Sequence, residues 1–359
     1  MQESVHEQFM RRCLQLAETG LRAAMPNPSV GAVLVYNGRI IGESFTSPYG
    51  GPHGEVNCIN SVKPEDIQLI PDSVLYVSLE PCSHFGKTPP CSDLIIQHKI
   101  KTVVIGTSDP NPLVAGRGIE KLKTAGCTVI AGVLEDECRA MNRRFFTFHE
   151  KKRPYVILKW AQSADAFLAP LKNSVTLDAD IEALKPVWIT NTYSRQLVHK
   201  WRSEEAAILV GTHTVLEDNP SLDVRDWTGS NPIRIVLDRS GRITEDFSVK
   251  NQKIKTIVLT EQDGLTNLEN LIYEPTAFDE NLAANVLNVL YRYSLLSVII
   301  EGGNKTLETF ITAKLWDEAR IFTGAPYLGD GVKSPEITGN AASAMMIKED
   351  KLTILKRHD

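Results

Sequence analysis

The chain has 359 residues, 42% of them hydrophobic, and a formal net charge of −5. That length exceeds the ~250–300 residues at which a single core stops growing, so two domains are expected. The part up to Arg153 is nearly balanced in charge and the rest is acidic. This argues against a nucleic-acid partner, and no run approaches the ~18 apolar residues of a membrane span.

Met10, Cys13, Leu14, Ala17 and Leu21 recur at helical spacing and predict an amphipathic helix over about 3–20. The stretch 25–28, Met-Pro-Asn-Pro, breaks it. A strand is expected over 30–35, then an Asn37-Gly38 hairpin turn before Arg39-Ile40-Ile41. A Gly- and Pro-rich loop leads to His53, and 55–62 reads as a helix. Strands are expected at 74–79, 103–105 and 127–130, with helices at 92–98 and from Gly116-Arg117-Gly118 to Thr124. Alternating strands and helices imply an α/β layer with a mixed or largely parallel sheet and a site at the strand C-terminal ends.

All six cysteines (Cys13, Cys58, Cys82, Cys91, Cys127, Cys138) fall in this first part. The chain opens without an apolar leader core, so a cytoplasmic protein is expected, with thiols as metal ligands or small buried hydrophobes rather than disulfides. His53, Cys82 and Cys91 supply the three protein ligands of a catalytic zinc, which keeps a fourth position for water. Such an ion lowers the pKa of bound water to about 7. Glu55, two residues past the histidine, would stand beside the metal in the first turn of a helix and move the proton. The order H-x-E, P-C, C is that of zinc deaminases. A structural zinc site would show a fourth ligand, for which His84 is the nearby competitor.

The spacing departs from C-x-x-C: eight residues separate Cys82 from Cys91. This insert, with its Gly-Lys-Thr-Pro-Pro-Cys ending, resembles the deaminase half of the bifunctional riboflavin-biosynthesis deaminase/reductase family. The stretches Pro-Asn-Pro-Ser-Val-Gly-Ala-Val at 26–33 and Asp-Pro-Asn-Pro at 109–112 are similar to that family too. The resemblance implies a cytidine-deaminase-like three-layer domain over 1–150. By it, Asn27 and His84 would contact the pyrimidine, Lys87 the phosphate, and Asp109 and Asn111 the ribose. Two positions differ from the usual pattern. Gly54 stands where the family has Ala, and Thr46 falls where it has His.

Phe148 to Pro154 is polar, ends in proline and is expected to be the linker. Beyond it, strands are expected at 155–161, 206–211, 233–237, 257–260, 297–300 and 319–323, with 187–190 extended. Helices are expected at 194–202, 282–293 and from 307. Gly302-Gly303 between a strand and a helix suits a pyrophosphate but is not the G-x-G-x-x-G fingerprint. In the same order, Arg153 to Lys159, Ser163-Ala164-Asp165, His199-Lys200-Trp201-Arg202, Thr214 to Pro220 and Glu301-Gly302-Gly303 resemble the family's reductase half. The resemblance implies a dihydrofolate-reductase-like α/β domain over 154–359 that uses NADPH. Gln162, Trp188, Thr214, Asp218 and Gly303, Asn304, Lys305 and Thr306 would line the dinucleotide. Lys159, Arg202, Leu222, Arg225 and Glu301 would surround the substrate. Ala166 replaces the family's Gly, and Pro186 stands where Ser is usual. The expectation is deamination of a diamino-ribosylamino-pyrimidinone 5′-phosphate followed by NADPH reduction of its ribosyl group, in a homo-oligomer (dimer or tetramer) acting on small phosphorylated pyrimidines.

Overall fold

The computed structural model describes residues 4–85, 89–112, 114–170 and 188–358. The chain divides into two compact units, residues 1–152 and 153–359. Among the described residues no helix is long and apolar enough to cross a membrane.

The first unit begins with helix α1 (Val5–Ala24). Ser4 caps it: the Glu7 amide donates to Ser4 Oγ, and the Ser4 amide donates back to the Glu7 carboxylate at 2.8 Å, which satisfies two end donors reciprocally. Strands β1 (Gly31–Tyr36) and β2 (Arg39–Phe45) form the expected hairpin. Asn37 and Gly38 both take positive φ at its turn, the pair of conformations that the twist of a two-residue hairpin requires. Helix α2 (Gly54–Asn60), β3 (Val74–Leu79), α3 (Cys91–Gln97), β4 (Thr102–Thr107), α4 (Arg117–Thr124) and β5 (Thr128–Ala131) follow. The sheet order is β2-β1-β3-β4-β5, with β1 antiparallel to both neighbours and β3, β4 and β5 parallel.

Two helices close this unit, α5 (Glu135–Met141) and α6 (Arg143–Lys151). Neither was expected from the periodicity. Residues 148–151, expected as linker, are the last turns of α6, held by the burial of Phe145, Phe146 and Thr147. Polarity misleads here because the exposed face of an amphipathic helix is polar as well. The core joins Met10 and Cys13 of α1, Val33 and Val35 of β1, Tyr76, Val104 and Cys138 of α5. Helix α2 covers the other face of the sheet, giving three layers. All six cysteines are free thiols.

Besides a two-stranded pair, β7 (Phe167–Ala169) with β14 (Val332–Lys333), the second unit holds one sheet of β6 (Tyr155–Gln162), β8 (Ala207–Gly211), β9 (Ile233–Leu237), β10 (Thr256–Thr260), β11 (Leu271–Pro275), β12 (Ser297–Ile300), β13 (Glu318–Thr323), β15 (Asn340–Ile347) and β16 (Asp350–Lys356). Their order is β11-β10-β9-β8-β12-β6-β13-β16-β15. The first seven run parallel and the last two turn antiparallel. Helices α7 (Thr192–Glu204), α8 (Thr212–Asp218), α9 (Leu282–Arg292) and α10 (Asn304–Thr312) lie between strands. Residues 188–190 belong to no strand. Late β12 inserts between the earlier β6 and β8, which brings the C-terminal ends of three strands together, and ligands bind outside such ends.

Candidate active sites

His53 is the N-cap of α2, Cys82 follows β3, and Cys91 opens α3. His53 Nδ1 lies 3.6 Å from Cys82 Sγ and 3.4 Å from Cys91 Sγ, and the three ligand atoms fall within 4.8 Å of one another. Zinc bonds of about 2.3 Å to sulfur and 2.0–2.1 Å to nitrogen in a tetrahedron put N and S roughly 3.5 Å apart. Both N–S separations therefore fit zinc. Neither Glu55 nor His84 belongs to it, and His84 is exposed. Among the described residues the site thus offers three ligands, the number that leaves a coordination position open.

The backbone amide of Cys91 donates to Cys82 Sγ at 3.3 Å. Hydrogen bonds from Cys91 and His53 hold the Cys82 thiol well below its ordinary range, and sharing that proton with Cys82 pushes Cys91 up. Glu55, in the first turn of α2, is only 3% exposed. Burial pushes its carboxyl up to about 7, the Cys82 sulfur adds to this, and His53 opposes it. A carboxyl near 7 can take and return a proton at neutral pH.

The stretch with Asn27 is tied to the loop that delivers His53. The Tyr49 amide donates to Ala23 O and the Thr46 amide to Val30 O. Thr46 is buried, and its Oγ1 accepts the Val30 amide at 2.9 Å. Thr46 is thus a structural pin between this loop and the start of β1. Asp109 is buried, its Oδ1 accepts the Asn111 amide at 2.7 Å, and burial pushes its carboxyl up to about 7. Lys87 lies outside the described residues, as does Pro186.

In the second unit Arg202 of α7 grips Glu301, just past β12, through Nε at 3.2 Å and Nη2 at 2.8 Å. Lys159 Nζ of β6 stands 3.6 Å from the same carboxylate. Burial alone would raise Glu301, but Arg202 and Lys159 outweigh it and hold the carboxyl at about 2. Lys159 itself is lowered, by burial first. A cavity of about 520 Å³ is lined by Lys159, Trp188, His199, Arg202 and Arg225 among others. Trp188 is largely exposed and stacks on the Arg195 guanidinium, 4.1 Å from its ring centre.

Thr214 and the glycine turn also meet: the Gly303 amide donates to Thr214 Oγ1 at 3.1 Å. Gly303 is the N-cap of α10, so Asn304, Lys305 and Thr306 form the first turn of a nine-residue helix. A side chain at Gly211 or Gly302 would meet Thr306 at under 3 Å, whereas one at Gly303 would make only an ordinary contact, 3.7 Å from Thr214 Oγ1. Backbone amides at such a helix start suit a pyrophosphate, so these residues fit a dinucleotide. Asp218 ends α8, and Gln162 Oε1 accepts the Trp160 indole N–H at 2.9 Å.

The Leu222 side chain packs in the core with Ile208, Val236 and Val258, and its backbone has φ +51°. Two residues of consequence carried no site expectation. His199 is buried against the cavity, with Nε2 3.3 Å from Asp226. Glu80 is buried and accepts four backbone amides. Neither shows a periodic signal, because the partners of each lie far along the chain.

Residues 3–107 match the cytidine and deoxycytidylate deaminase zinc-binding region, and residues 154–353 match the RibD C-terminal domain. The riboflavin biosynthesis protein RibD of Aquifex aeolicus is 37% identical over 336 residues, 92% of this chain and 90% of that protein. That of Synechocystis sp. is 35% identical over 96% of this chain and 91% of its own length. The crystal structure of a Thermotoga maritima diaminohydroxyphosphoribosylaminopyrimidine deaminase/5-amino-6-(5-phosphoribosylamino)uracil reductase superposes with a TM-score of 0.87 at 36% identity, covering 99% of both chains. With a zinc-fitting His-Cys-Cys trio in one unit and a cationic cavity at the strand ends of the other, the chain belongs to the RibD family of riboflavin biosynthesis proteins, bifunctional enzymes that join a zinc-binding deaminase domain to a reductase domain.

Proposed function

We propose that the first unit deaminates 2,5-diamino-6-ribosylamino-4(3H)-pyrimidinone 5′-phosphate and that the second reduces the ribosyl group of the resulting 5-amino-6-(5-phosphoribosylamino)uracil. The observation that carries this is the buried Glu55 carboxyl set beside, and not within, the His53, Cys82 and Cys91 trio. Zinc held by that trio supplies Lewis-acid activation of water at neutral pH. Glu55 takes the proton of the attacking water at a carboxylate oxygen and returns it to the departing amine. Its place in the first turn of α2, buried beside the trio, suits both halves of that transfer. Asn27 and His84 contact the pyrimidine, Asp109 and Asn111 the ribose, and Lys87 the phosphate.

In the second unit NADPH supplies the hydride, and the protein positions the reactants. The first turn of α10, from Gly303 to Thr306, holds the pyrophosphate with Thr214, while Gln162, Trp188 and Asp218 line the remainder of the dinucleotide. Lys159, Arg202 and Arg225 hold the phosphorylated sugar, since two guanidinium groups and an ammonium around one cavity suit an anionic ligand. Glu301 fixes Arg202 and Lys159, and the main chain at Leu222 completes the wall. A cytoplasmic homo-oligomer, dimer or tetramer, belongs to the same reading, and mass photometry tests the assembly.

The decisive measurement is metal content together with ammonia release on the diaminopyrimidine phosphate, with and without NADPH. One zinc per chain and NADPH-independent ammonia release are expected, with NADPH oxidation only after deamination. A protein stripped of metal should release no ammonia yet still oxidise NADPH on the deaminated substrate. Ammonia release that survives stripping overturns the assignment.

A further inference from the structure

Glu80 follows the last residue of β3, two positions before Cys82, and is 3% exposed. Its Oε2 accepts the amides of Asp109 at 3.2 Å and Gly116 at 2.9 Å. Its Oε1 accepts those of Gly118 at 2.9 Å and Ile119 at 3.2 Å. A buried carboxylate is costly without such donors, and several backbone N–H groups stabilise it. The clamp thus joins the metal-ligand loop to two other places, the turn at Asp109 and the first turn of α4.

Backbone contact tightens this junction. A Cβ at Gly118 would stand 2.0 Å from Pro81 O, so only glycine lets α4 approach the residue between Glu80 and Cys82. The Glu80 amide donates to Thr107 O at 2.9 Å, which extends the β3–β4 ladder to the same point. Asp109 in turn holds the Asn111 amide. The Glu80 carboxylate is thus the side-chain link, beside these backbone contacts, that ties the Asp109–Asn111 turn to the loop carrying Cys82.

We propose that Glu80 is a positioning residue of the deaminase site: its carboxylate fixes the Asp109–Asn111 turn at the distance from the metal ligands that the sugar of the substrate requires. The inference rests on the function proposed above. Glu80→Gln is the informative change. An amide keeps the size but has one acceptor oxygen, so in either orientation its NH₂ faces two of the four backbone donors.

The test uses the full chain with zinc bound and the diaminopyrimidine ribosyl phosphate as substrate. In Glu80→Gln, KM for ammonia release should rise about tenfold or more while kcat stays within about threefold, the pattern of lost uniform binding. Zinc content and NADPH oxidation on the deaminated substrate should be unchanged. In an Asn111→Ala background, Glu80→Gln should add less than about threefold to KM, since both act through one turn. In the unaltered protein, the amides of Asp109, Gly116, Gly118 and Ile119 should be protected from hydrogen exchange.

An unchanged KM in an active enzyme overturns the inference alone. So do KM effects that multiply in the double variant, unprotected amides, or loss of zinc together with KM, which would make Glu80 a folding residue of the ligand loop. A wild-type chain that releases no ammonia overturns the deaminase reading and the inference with it.

Discussion

The backbone amide of Cys91 points at the sulfur of Cys82, 3.3 Å away. One ligand is thereby held by the helix start that carries the other, which favours thiolate at the place where a cation would need it. The eight-residue insert between the two cysteines leaves this contact intact. Ser92 N–H closes the same loop onto Cys82 O at 3.1 Å.

Glu55→Gln removes the proton carrier and keeps the shape. Zinc content should stay at one per chain, and ammonia release should fall by about 10²–10⁴-fold, the usual worth of general acid–base catalysis. Reduction of the deaminated substrate should persist. Ammonia assay and metal analysis on the same preparation check this, and normal deamination would remove Glu55 from the mechanism.

Glu301 makes the second unit acid-sensitive. Its folded pKa of about 2 lies below the ordinary 4.5. The group therefore contributes stability in full above about 4.5, and this is lost as pH falls through about 2. All five tryptophans lie beyond Arg153, so tryptophan fluorescence during denaturant titration reports this unit alone. Glu301→Gln should flatten that pH dependence. It should also destabilise the unit at pH 7 by about 3–5 kcal/mol, because Lys159 and Arg202 are left buried without their carboxylate.

Ala166 sits at φ +66° between Ser163 and the Phe167 strand end. A Cβ in this left-handed region costs about 1–2 kcal/mol, against roughly 0.4–1 kcal/mol of extra chain entropy for glycine. Ala166→Gly should therefore raise the melting temperature of the second unit slightly, by a few degrees at most. A lower melting temperature would show that the turn relaxes around alanine.

Gly54 presents the opposite case. Alanine is the better helix former by about 1 kcal/mol. Yet a Cβ at Gly54 would lie 2.4 Å from Val30 O, a backbone atom with little freedom. Gly54→Ala should lower the stability of the first unit by about 1–3 kcal/mol, as overpacking does. It should also weaken zinc retention in competition with a chelator, since His53 and Glu55 flank the strained residue. Equal retention by both proteins would count against this tight fit.

Much of the architecture is legible in the sequence. Strands 74–79, 233–237 and 297–300 fall where apolar runs of strand length predict them, and the Asn37-Gly38 turn is where its chemistry demands. These signals are local, so the chain states them directly. Helices α5 and α6 were not legible. Their apolar faces are short, and residues 148–151 continue a helix whose buried residues, Phe145, Phe146 and Thr147, lie in its first half. The final hairpin of β15 and β16 escaped for a related reason: β15 is an edge strand, largely exposed, without the alternation that marks a half-buried one.

Residue types and their spacing by themselves determined the chemistry: an imidazole, two thiols and a carboxylate in the H-x-E, P-C, C order, and a glycine turn between strand and helix. Only the tertiary structure decided which of these groups meet. It set His53, Cys82 and Cys91 at zinc-fitting separations, buried the Leu222 side chain in the core, assigned Thr46 to hold the backbone, and gathered four distant amides on Glu80. The reason is that these hydrogen bonds and buried charges relate groups 16 to 39 positions apart, and no periodicity along the chain encodes that distance.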